Sequence, residues 1–506
     1  MRTGGAGRTF LVGRHPGGGR GTGSWLRIWI PAIAGMAIWC SAQADLPESF
    51  TQALKQAGIP VTHVGVAVRE LDGTLILLHG EDQAFNPASV MKLVTTLAAL
   101  DSLGPAHVFK TLAWVDGELK DGVLTGNLVL QGGGDPGLTP ERFWMLLRSL
   151  RQRGLREIRG DVLLDNSYYA IAARDPGAFD QAPLRPYNAQ PSALLVNFNT
   201  RLLRLCARED RVLARLDPPL DSLALDSQLQ PGDIPCDGWD DEVTLRREGN
   251  TLVLEGQVSG ECGEQVMALN LDASAANVTA WFQSLWRDLG GTHQGQVREG
   301  APGPDAGLLM AFDSAPLSLL VRDVNKYSNN VMAKMLYLNL GAARFGGPAT
   351  WDKAERAVRA WLEEKGLALP ELVLENGSGL SRVERISAAS MASLLAWASR
   401  QPVYYEFAAS LPAVGLEGTQ RNRFNGNGGG GRDLSGRAWL KSGTLNGARC
   451  LAGYVLGQDG ARRVLVFFIN HPRAGMALAA QEALLEWTHA YTNAPPSGGA
   501  EAVNQQ

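Results

Sequence analysis

The sequence is poor in the residues that most often hold metal ions. Its 506 residues include seven histidines and five cysteines, and the histidines are scattered with no H-E-x-x-H motif or paired spacing. This distribution argues against a zinc site. The glycine-rich stretch Q-G-G-G-D at 131–135 is not followed by Gly-Lys-Ser/Thr, so we expect a tight turn there and not a phosphate-binding loop. We therefore expect neither a metal nor a cofactor.

Long apolar runs are also missing from most of the chain. After residue 44, no uninterrupted stretch reaches the roughly 18 apolar residues that a membrane span needs. Residues 1–44 are typical of a signal peptide, with five arginines, no acid, an apolar run from Trp25 to Cys40 and small residues up to Ala44. A lipid anchor is disfavoured because the bulky Trp39 precedes Cys40. We expect an exported protein that is soluble after cleavage near Ala44.

The chain has no excess of positive charge. Its formal net charge is −4 at pH 7, and removal of the five leader arginines would make it −9. This balance argues against nucleic acid as a partner and against more than peripheral contact with a membrane. The 462 residues after the leader are too many for one compact core, so we expect roughly two to four domains.

Four cysteines remain after the leader, namely Cys206, Cys236, Cys262 and Cys450. An oxidising compartment permits a disulfide, but the spacing alone does not reveal the pairing. We predict a bond between Cys236 and Cys262, which would close a modest loop in a turn-rich region. The alternative is that all four thiols are reduced and buried.

The order of secondary-structure patterns predicts an α+β fold. Two strand-like stretches, V-T-H-V-G-V-A-V-R-E and L-I-L-L-H-G, precede a helix that ends at Gly104-Pro105, and three more strand-like runs lie near the end of the chain. Between them the texture changes to short strands and turns. We expect one antiparallel sheet flanked by helices, from residues 45–110 and 310–492. A β-rich insertion of two nested subdomains would occupy 111–309, and 493–506 would be a disordered tail.

The stretch N-P-A-S-V-M-K-L contains the first candidate for chemistry. Ser89 and Lys92 are three residues apart, which places both side chains on one face of a helix. Free backbone N–H groups at the helix start favour negative charge on the serine. A desolvated lysine near other cations can lose its proton and accept that of the serine. Alone, S-x-x-K is a weak signal that chance gives in most chains of this length, and it favours a capping serine and a lysine whose stem lies on apolar surface.

Two further motifs follow in order and change this balance. Y-S-N-N supplies Ser328 and Asn330 at a helix start, and W-L-K-S-G-T-L supplies Lys441, Ser442, Gly443 and Thr444 in a strand. The ordered set S-x-x-K, S-x-N and K-[ST]-G, each in a suitable structural context, is typical of serine acyl-transfer enzymes of one superfamily.

The chain therefore resembles the penicillin-binding protein and serine β-lactamase superfamily. The long insertion after the first motif resembles the class C low-molecular-mass penicillin-binding proteins, the D-alanyl-D-alanine carboxypeptidase/endopeptidase family. The stretches G-G-G-D-P-G-L-T, G-D-V-L-L-D-N-S-Y-Y, E-N-G-S-G-L-S-R and L-P-A-V-G-L-E-G-T-Q-R-N-R-F are similar to that family's pattern. The likeness spans about 48–490. It departs from the commonest spellings at Ser442, which replaces a threonine, and at Asn329, which replaces an aspartate.

The resemblance implies a serine DD-peptidase of the bacterial periplasm. Such an enzyme removes the terminal D-alanine from peptidoglycan stem peptides, cuts crosslinks between D-alanine and a diaminoacid, and is acylated by β-lactams. Ser89 would attack the carbonyl of the penultimate D-alanine, and Lys92 would take its proton. Ser328 and Asn330 would relay the proton to the leaving group and position the peptide amide.

The third motif would bind the substrate. Lys441 would supply positive charge, and the hydroxyls of Ser442 and Thr444 would hold the terminal carboxylate beside Gly443. Backbone N–H groups of Ser89 and Thr444 would form the oxyanion hole.

Other assignments compete with structural alternatives. Asp165 is a candidate to meet the amino group of the diaminoacid, or it bonds turn amides. Arg382 and Arg421 would line the cleft or pair with surface acids, and the glycine-rich stretch 425–431 would be a flap or a slack loop. A β-lactamase and a non-catalytic peptidoglycan-binding module remain the alternative functions. The oligomeric state and the balance of carboxypeptidase and endopeptidase action are left open.

Overall fold

The structure, a computed structural model, describes residues 45–81, 83–220, 223–271, 273–424 and 434–492. The predicted signal peptide, the predicted C-terminal tail and the glycine-rich stretch 425–431 lie outside the described residues. Among the helices of the described ranges, none is long and apolar enough to cross a bilayer.

The described residues form ten helices and eighteen strands. The helices are α1 (Glu48–Ala57), α2 (Lys92–Leu103), α3 (Pro140–Gln152), α4 (Ser274–Asp288), α5 (Leu317–Tyr327), α6 (Asn330–Phe345), α7 (Trp351–Glu364), α8 (Ala388–Ala398), α9 (Tyr404–Ser410) and α10 (Leu478–Ala490). The first nine strands are β1 (Val64–Glu70), β2 (Leu75–His79), β3 (Lys110–Lys120), β4 (Val123–Gln131), β5 (Glu157–Ile158), β6 (Val162–Asp165), β7 (Arg201–Ala207), β8 (Val212–Asp217) and β9 (Ala224–Gly232). The others are β10 (Val243–Glu248), β11 (Thr251–Ser259), β12 (Glu264–Leu269), β13 (Thr292–His293), β14 (Val297–Glu299), β15 (Gly307–Asp313), β16 (Ala438–Leu445), β17 (Ala448–Leu456) and β18 (Arg462–Asn470).

A five-stranded antiparallel sheet in the order β16-β17-β18-β1-β2 forms the centre of the fold. The apolar run in R-R-V-L-V-F-F-I-N explains the position of β18, because a strand covered on both faces needs apolar residues at successive positions. Val464, Val466 and Phe468 pack into one hydrophobic core, and the alternating residues of β18 pack into the other. The predicted α+β fold with an antiparallel sheet between helices is confirmed.

Helices cover both faces of this sheet. Residues of α1 and α10 share one core with the sheet, while α2 and α5 to α9 contribute to the other. Helix α2 is enclosed by its neighbours, and every residue from Lys92 to Leu100 is buried. A helix that is apolar nearly all round is expected in such a position. The amine of Lys92 must therefore find its partners inside the protein.

The inserted region contains a mixed sheet and two smaller sheets. In the mixed sheet β13, β5, β4, β3 and β15 are neighbours, β6 also pairs with β4 and β14, and α3 and α4 pack on it. The expected boundary between 309 and 310 falls inside β15, which pairs with β3 as far as Asp313. Because a paired strand belongs with its sheet, we propose the boundary at 314–316.

Two three-stranded sheets, β12-β7-β8 and β10-β11-β9, share a core of their own within the inserted region. Cys236 lies between β9 and β10 and forms a disulfide with Cys262, as predicted. Cys206 and Cys450 are free thiols, so the alternative of four reduced cysteines is wrong.

A connecting segment at 166–200 joins the mixed sheet to β7. It contains a short 3₁₀ turn, Pro186–Asn188, and this turn lies against α6. The carbonyl oxygen of Tyr187 accepts a hydrogen bond from Asn330, and that of Ala189 accepts one from Lys334. The inserted region thus reaches the helix that follows the second motif.

Candidate active site

Ser89 lies in a 3₁₀ turn, Ala88–Met91, directly before α2. Two glycines allow other segments to approach this turn closely. A Cβ atom on Gly443 would lie 3.0 Å from the backbone nitrogen of Ser89, and one on Gly379 would lie 1.9 Å from the carbonyl oxygen of Ala88. A side chain at either position would force the segments apart. Strand β16 and the loop around Gly379 therefore pack directly on the turn that carries the serine.

Lys92 is fully buried, and its amine donates three hydrogen bonds. Its Nζ lies 2.9 Å from Ser89 Oγ, 2.6 Å from Asn330 Oδ1 and 2.5 Å from the carbonyl oxygen of Ser378. The first and second motifs thus meet at one amine. The partner from Ser378 is a backbone atom that the motifs did not indicate.

The chemistry of these partners determines where a neutral amine would place its lone pair. A carbonyl oxygen only accepts, so Ser378 must receive an N–H of Lys92. The same holds for Asn330 Oδ1, because Asn330 Nδ2 donates to the Tyr187 carbonyl 3.2 Å away and so fixes the amide orientation. The Ser89 hydroxyl can donate instead. A neutral Lys92 therefore turns its lone pair toward the serine proton.

The surroundings of Lys92 favour this neutral form. Burial, together with the positive charge of Lys441, holds the pKa of Lys92 well below its usual range. Lys334, one helical turn beyond Asn330 in α6, lowers the pKa of Lys92 further. An amine must be unprotonated to accept a proton, so this clustering of lysines favours the form of Lys92 that could act as a general base.

Ser328 occupies the junction between α5 and α6, with a left-handed φ of +58°. Lys441 Nζ donates to Ser328 Oγ at 2.8 Å and to the carbonyl oxygen of Ser442 at 2.7 Å. Burial lowers the pKa of Lys441 to about 7. The second and third motifs thus also meet, at Lys441, whose pKa lies near neutral pH.

The two departures from the commonest motif spellings have local explanations. The side chain of Asn329 accepts a hydrogen bond from the backbone N–H of Met332 at 3.1 Å and caps α6, a role that asparagine and aspartate share. Ser442 Oγ lies 3.1 Å from Thr419 Oγ1, so the residue keeps the hydroxyl that the third motif requires. Thr444 is exposed to solvent, where its hydroxyl can meet a ligand.

The remaining predicted residues lie outside this hydrogen-bonded set. The buried carboxylate of Asp165 accepts hydrogen bonds from Gln131 Nε2 at 2.6 Å and from the N–H of Ser167 at 2.9 Å. The guanidinium of Arg382 stacks on Phe179, 4.2 Å from the ring centre. Arg421 is exposed after the turn that contains Thr419.

Four contributors escaped the sequence analysis. Ser378 and Tyr187 act through carbonyl oxygens, which every residue has and no motif marks. Thr419 contributes a hydroxyl from a loop. Lys334 did leave a signal, because it lies four residues after Asn330 and so shares its helix face.

Comparison with known proteins identifies the family of the chain. The model of the D-Ala-D-Ala carboxypeptidase 3 (S13) family matches residues 44–491. The chain belongs to this family. The predicted resemblance is confirmed, and so are the enzyme class, a serine-type D-Ala-D-Ala carboxypeptidase, and the predicted DD-peptidase function.

Relatives of the S13 chain cover most of its length. It is 30% identical over 423 residues to the D-alanyl-D-alanine carboxypeptidase of Actinomadura sp. strain R39, covering 79% of this chain and 76% of the relative. It is 26% identical over 426 residues to the D-alanyl-D-alanine carboxypeptidase DacB of Haemophilus influenzae, covering 81% of this chain and 85% of that protein.

A solved structure shares the S13 fold. The crystal structure of penicillin binding protein 4 from Haemophilus influenzae superimposes with a TM-score of 0.71 at 23% identity, covering 87% of this chain and 99% of that one. The same protein has also been solved in complex with a β-lactam.

Proposed function

We propose that Ser89 is the acylated nucleophile of this enzyme and Lys92 its general base. The contact that carries this assignment is the 2.9 Å distance between Lys92 Nζ and Ser89 Oγ, at an amine whose other two bonds go to carbonyl oxygens. Burial and neighbouring positive charge keep that amine ready to accept a proton.

The reaction divides into two displacements. Ser89 Oγ bonds to the carbonyl carbon of the penultimate D-alanine of a stem peptide while its proton passes to Lys92. The C–N bond to the terminal D-alanine then breaks, and the leaving nitrogen takes the proton that Lys92 accepted, relayed through Ser328, which Lys441 contacts at 2.8 Å. Water attacks the acyl-enzyme, releases the shortened peptide and restores the serine. Asn330, bonded to Lys92, positions the base and the peptide amide.

The free carboxylate of the terminal D-alanine is bound by the third motif. Lys441 supplies a buried positive charge, and the hydroxyls of Ser442 and Thr444 donate to the carboxylate oxygens. Gly443 lets the strand approach the nucleophile, which supports an oxyanion hole formed by the N–H groups of Ser89 and Thr444. The same residues would receive the carboxylate of a β-lactam.

We also propose that the enzyme cleaves crosslinks whose acyl donor is D-alanine and whose leaving amine belongs to a diaminoacid. Both substrates use the same acyl-Ser89 intermediate. Asp165 supports a contact with a diaminoacid amino group, because its buried carboxylate has no ion-pair partner among the described residues. Its position at the end of β6 assigns this contact to the inserted region. We propose a periplasmic location, which the predicted leader supports.

The decisive experiment combines fluorescent penicillin with a D-Ala-D-Ala-terminated stem pentapeptide. We expect stable label on the Ser89 peptide after denaturation and mapping, and release of free D-alanine from the pentapeptide. Ser89→Ala should abolish both results. The matched control Ser393→Ala removes a hydroxyl that bonds within its own helix, to the Ala389 carbonyl, and should behave as wild type.

Other outcomes would support the alternative functions. A folded wild-type protein that takes no label and releases no D-alanine would be a peptidoglycan-binding module. Label that disappears within seconds, with rapid turnover of the penicillin, would indicate a β-lactamase.

A further inference from the structure

Glu384 is a fully buried carboxylate that the proposed reaction does not use. It follows the stretch E-N-G-S-G-L-S-R-V, and its two oxygens accept four backbone N–H groups of that stretch. The donors are Glu375 at 3.1 Å, Asn376 at 2.9 Å and Gly377 at 2.9 Å, all to Oε1, and Gly379 at 2.9 Å to Oε2. The carboxylate is thus the centre around which the loop 375–379 folds.

This loop has a conformation that needs an internal anchor. Gly377 and Gly379 both have left-handed φ angles, +69° and +80°, so the chain reverses twice and points successive N–H groups inward. Without an acceptor at their centre, these buried N–H groups would be unsatisfied, which would destabilise this loop conformation.

The outward side of the same loop contacts helix α2. The carbonyl oxygen of Gly377 accepts a hydrogen bond from Thr95 Oγ1 at 2.6 Å, and that of Ser378 accepts the bond from Lys92 Nζ at 2.5 Å. The carboxylate and the catalytic amine therefore lie on opposite sides of one peptide loop. A shift of the loop would displace an acceptor that orients the lone pair of Lys92.

The charge of Glu384 also acts on the base. Among the described residues no cation lies within ion-pair distance of Glu384. The charged and titratable groups that face Lys92 are Lys441 from β16, Lys334 from α6 and Glu384 from the loop. Those near Glu384 itself also include Glu375 and Tyr337. Burial raises the pKa of Glu384, and its backbone N–H bonds oppose that shift by favouring the anion.

We propose that Glu384 is a positioning residue for the general base. Its carboxylate folds the loop 375–379 so that the Ser378 carbonyl holds one N–H of Lys92, and its negative charge offsets the lysines gathered around that amine. This inference deepens the proposed function and rests on the assignment of Lys92 as the base.

The test is the pH dependence of Ser89 acylation by fluorescent penicillin in the variant Glu384→Gln. The amide cannot accept at both ends, so the loop loosens and the acylation rate constant should fall by roughly 10²-fold. Acylation requires neutral Lys92 and declines as pH falls through its pKa. Loss of the adjacent negative charge destabilises protonated Lys92 and lowers that pKa, so the acid limb should move to lower pH.

Two matched variants separate this role from simple stabilisation. Glu371 accepts a backbone N–H from Ser387 at 2.9 Å and does not face Lys92, so Glu371→Gln should leave the acid limb in place. Glu384→Asp keeps the charge but shortens the side chain. It should slow acylation while the acid limb stays at the wild-type pH.

A wild-type acylation rate in Glu384→Gln would overturn the proposal. So would a slower rate in Glu384→Gln whose acid limb lies at the same pH as that of Glu371→Gln. Should Glu384→Gln fail to fold, a wild-type rate in Glu384→Asp would overturn it equally. A wild-type protein that takes no label on Ser89 would contradict the catalytic assignment itself, a result distinct from any of these.

Discussion

Strand β18 of the central sheet and strand β9 of the nested sheets differ strongly in how many of their residues are buried. Strand β18 has seven consecutive buried residues, Arg463 to Ile469, because helices cover both of its faces. Strand β9, at the edge of its sheet, has one buried residue in nine. The reacting groups of the proposed site come from the first kind of packing. A site on elements fixed from both sides keeps its side chains in one geometry.

The largest expected effect is that of replacing Lys92. This change tests whether the catalytic role is confined to the region around the central sheet, which helices cover on both faces. In Lys92→Arg the guanidinium stays charged at every accessible pH and cannot accept the proton of Ser89. We expect the acylation rate to fall by about 10²–10⁴-fold, measured with fluorescent penicillin.

The control for this change lies in the mixed sheet of the inserted region. Lys110 is exposed and pairs with Asp313 at 2.6 Å, so Lys110→Arg should leave acylation unchanged. A similar loss in both variants would contradict the separation of the two regions.

A second prediction concerns how the two regions unfold. Phe467 is fully buried in the central sheet and Leu254 is fully buried in the nested sheets. Phe467→Ala should reduce the free energy of unfolding by about 3–5 kcal/mol, and Leu254→Ala by about 2–5 kcal/mol. Thermal unfolding monitored together with acylation distinguishes the two variants. Acylation should be lost at the first unfolding transition of Phe467→Ala but survive the first transition of Leu254→Ala. Loss of both signals together in the two variants would show that the regions unfold as one unit.

The smallest expected effect comes from the disulfide. Cys236→Ser combined with Cys262→Ser opens a loop of 26 residues in the nested sheets, and should destabilise that part by roughly 2–4 kcal/mol. Acylation of Ser89 at 25 °C should stay within about twofold of wild type, because no residue of the three motifs contacts the bridge. An acylation rate reduced tenfold or more in the folded double variant would show that the nested sheets support the site.

A feature of the molecule could be predicted from the sequence where it depends on the chemistry of side chains in a local pattern. The sequence was enough to propose Ser89, Lys92, Ser328, Asn330 and Lys441, because each offers a reactive or polar group in an ordered motif. The doubly buried β18 was found because its apolar run is local. The fold class followed from the order of such local patterns.

Contributions to the site and the fold that depend on tertiary contacts could not be predicted from local sequence patterns. The carbonyl oxygens of Ser378 and Tyr187 enter the site only because distant segments fold against α2 and α6. The extent of β15 was missed because its partner β3 lies almost two hundred residues earlier in the chain, and no local pattern records that pairing. Glu384 is a similar case, since an isolated glutamate in a loop is normally expected to be exposed to solvent.

The turn at Pro186–Asn188 has a consequence for the evolution of the chain. Through Tyr187, Asn330 and Lys92, a continuous line of hydrogen bonds runs from the inserted region to Ser89. A descendant that lost the insertion would leave the Asn330 amide nitrogen without the Tyr187 carbonyl as its acceptor. The amide could then rotate and offer an N–H to Lys92 in place of the oxygen. Such a deletion would need a substitute acceptor at that one point, so the insertion, once acquired, is hard to discard.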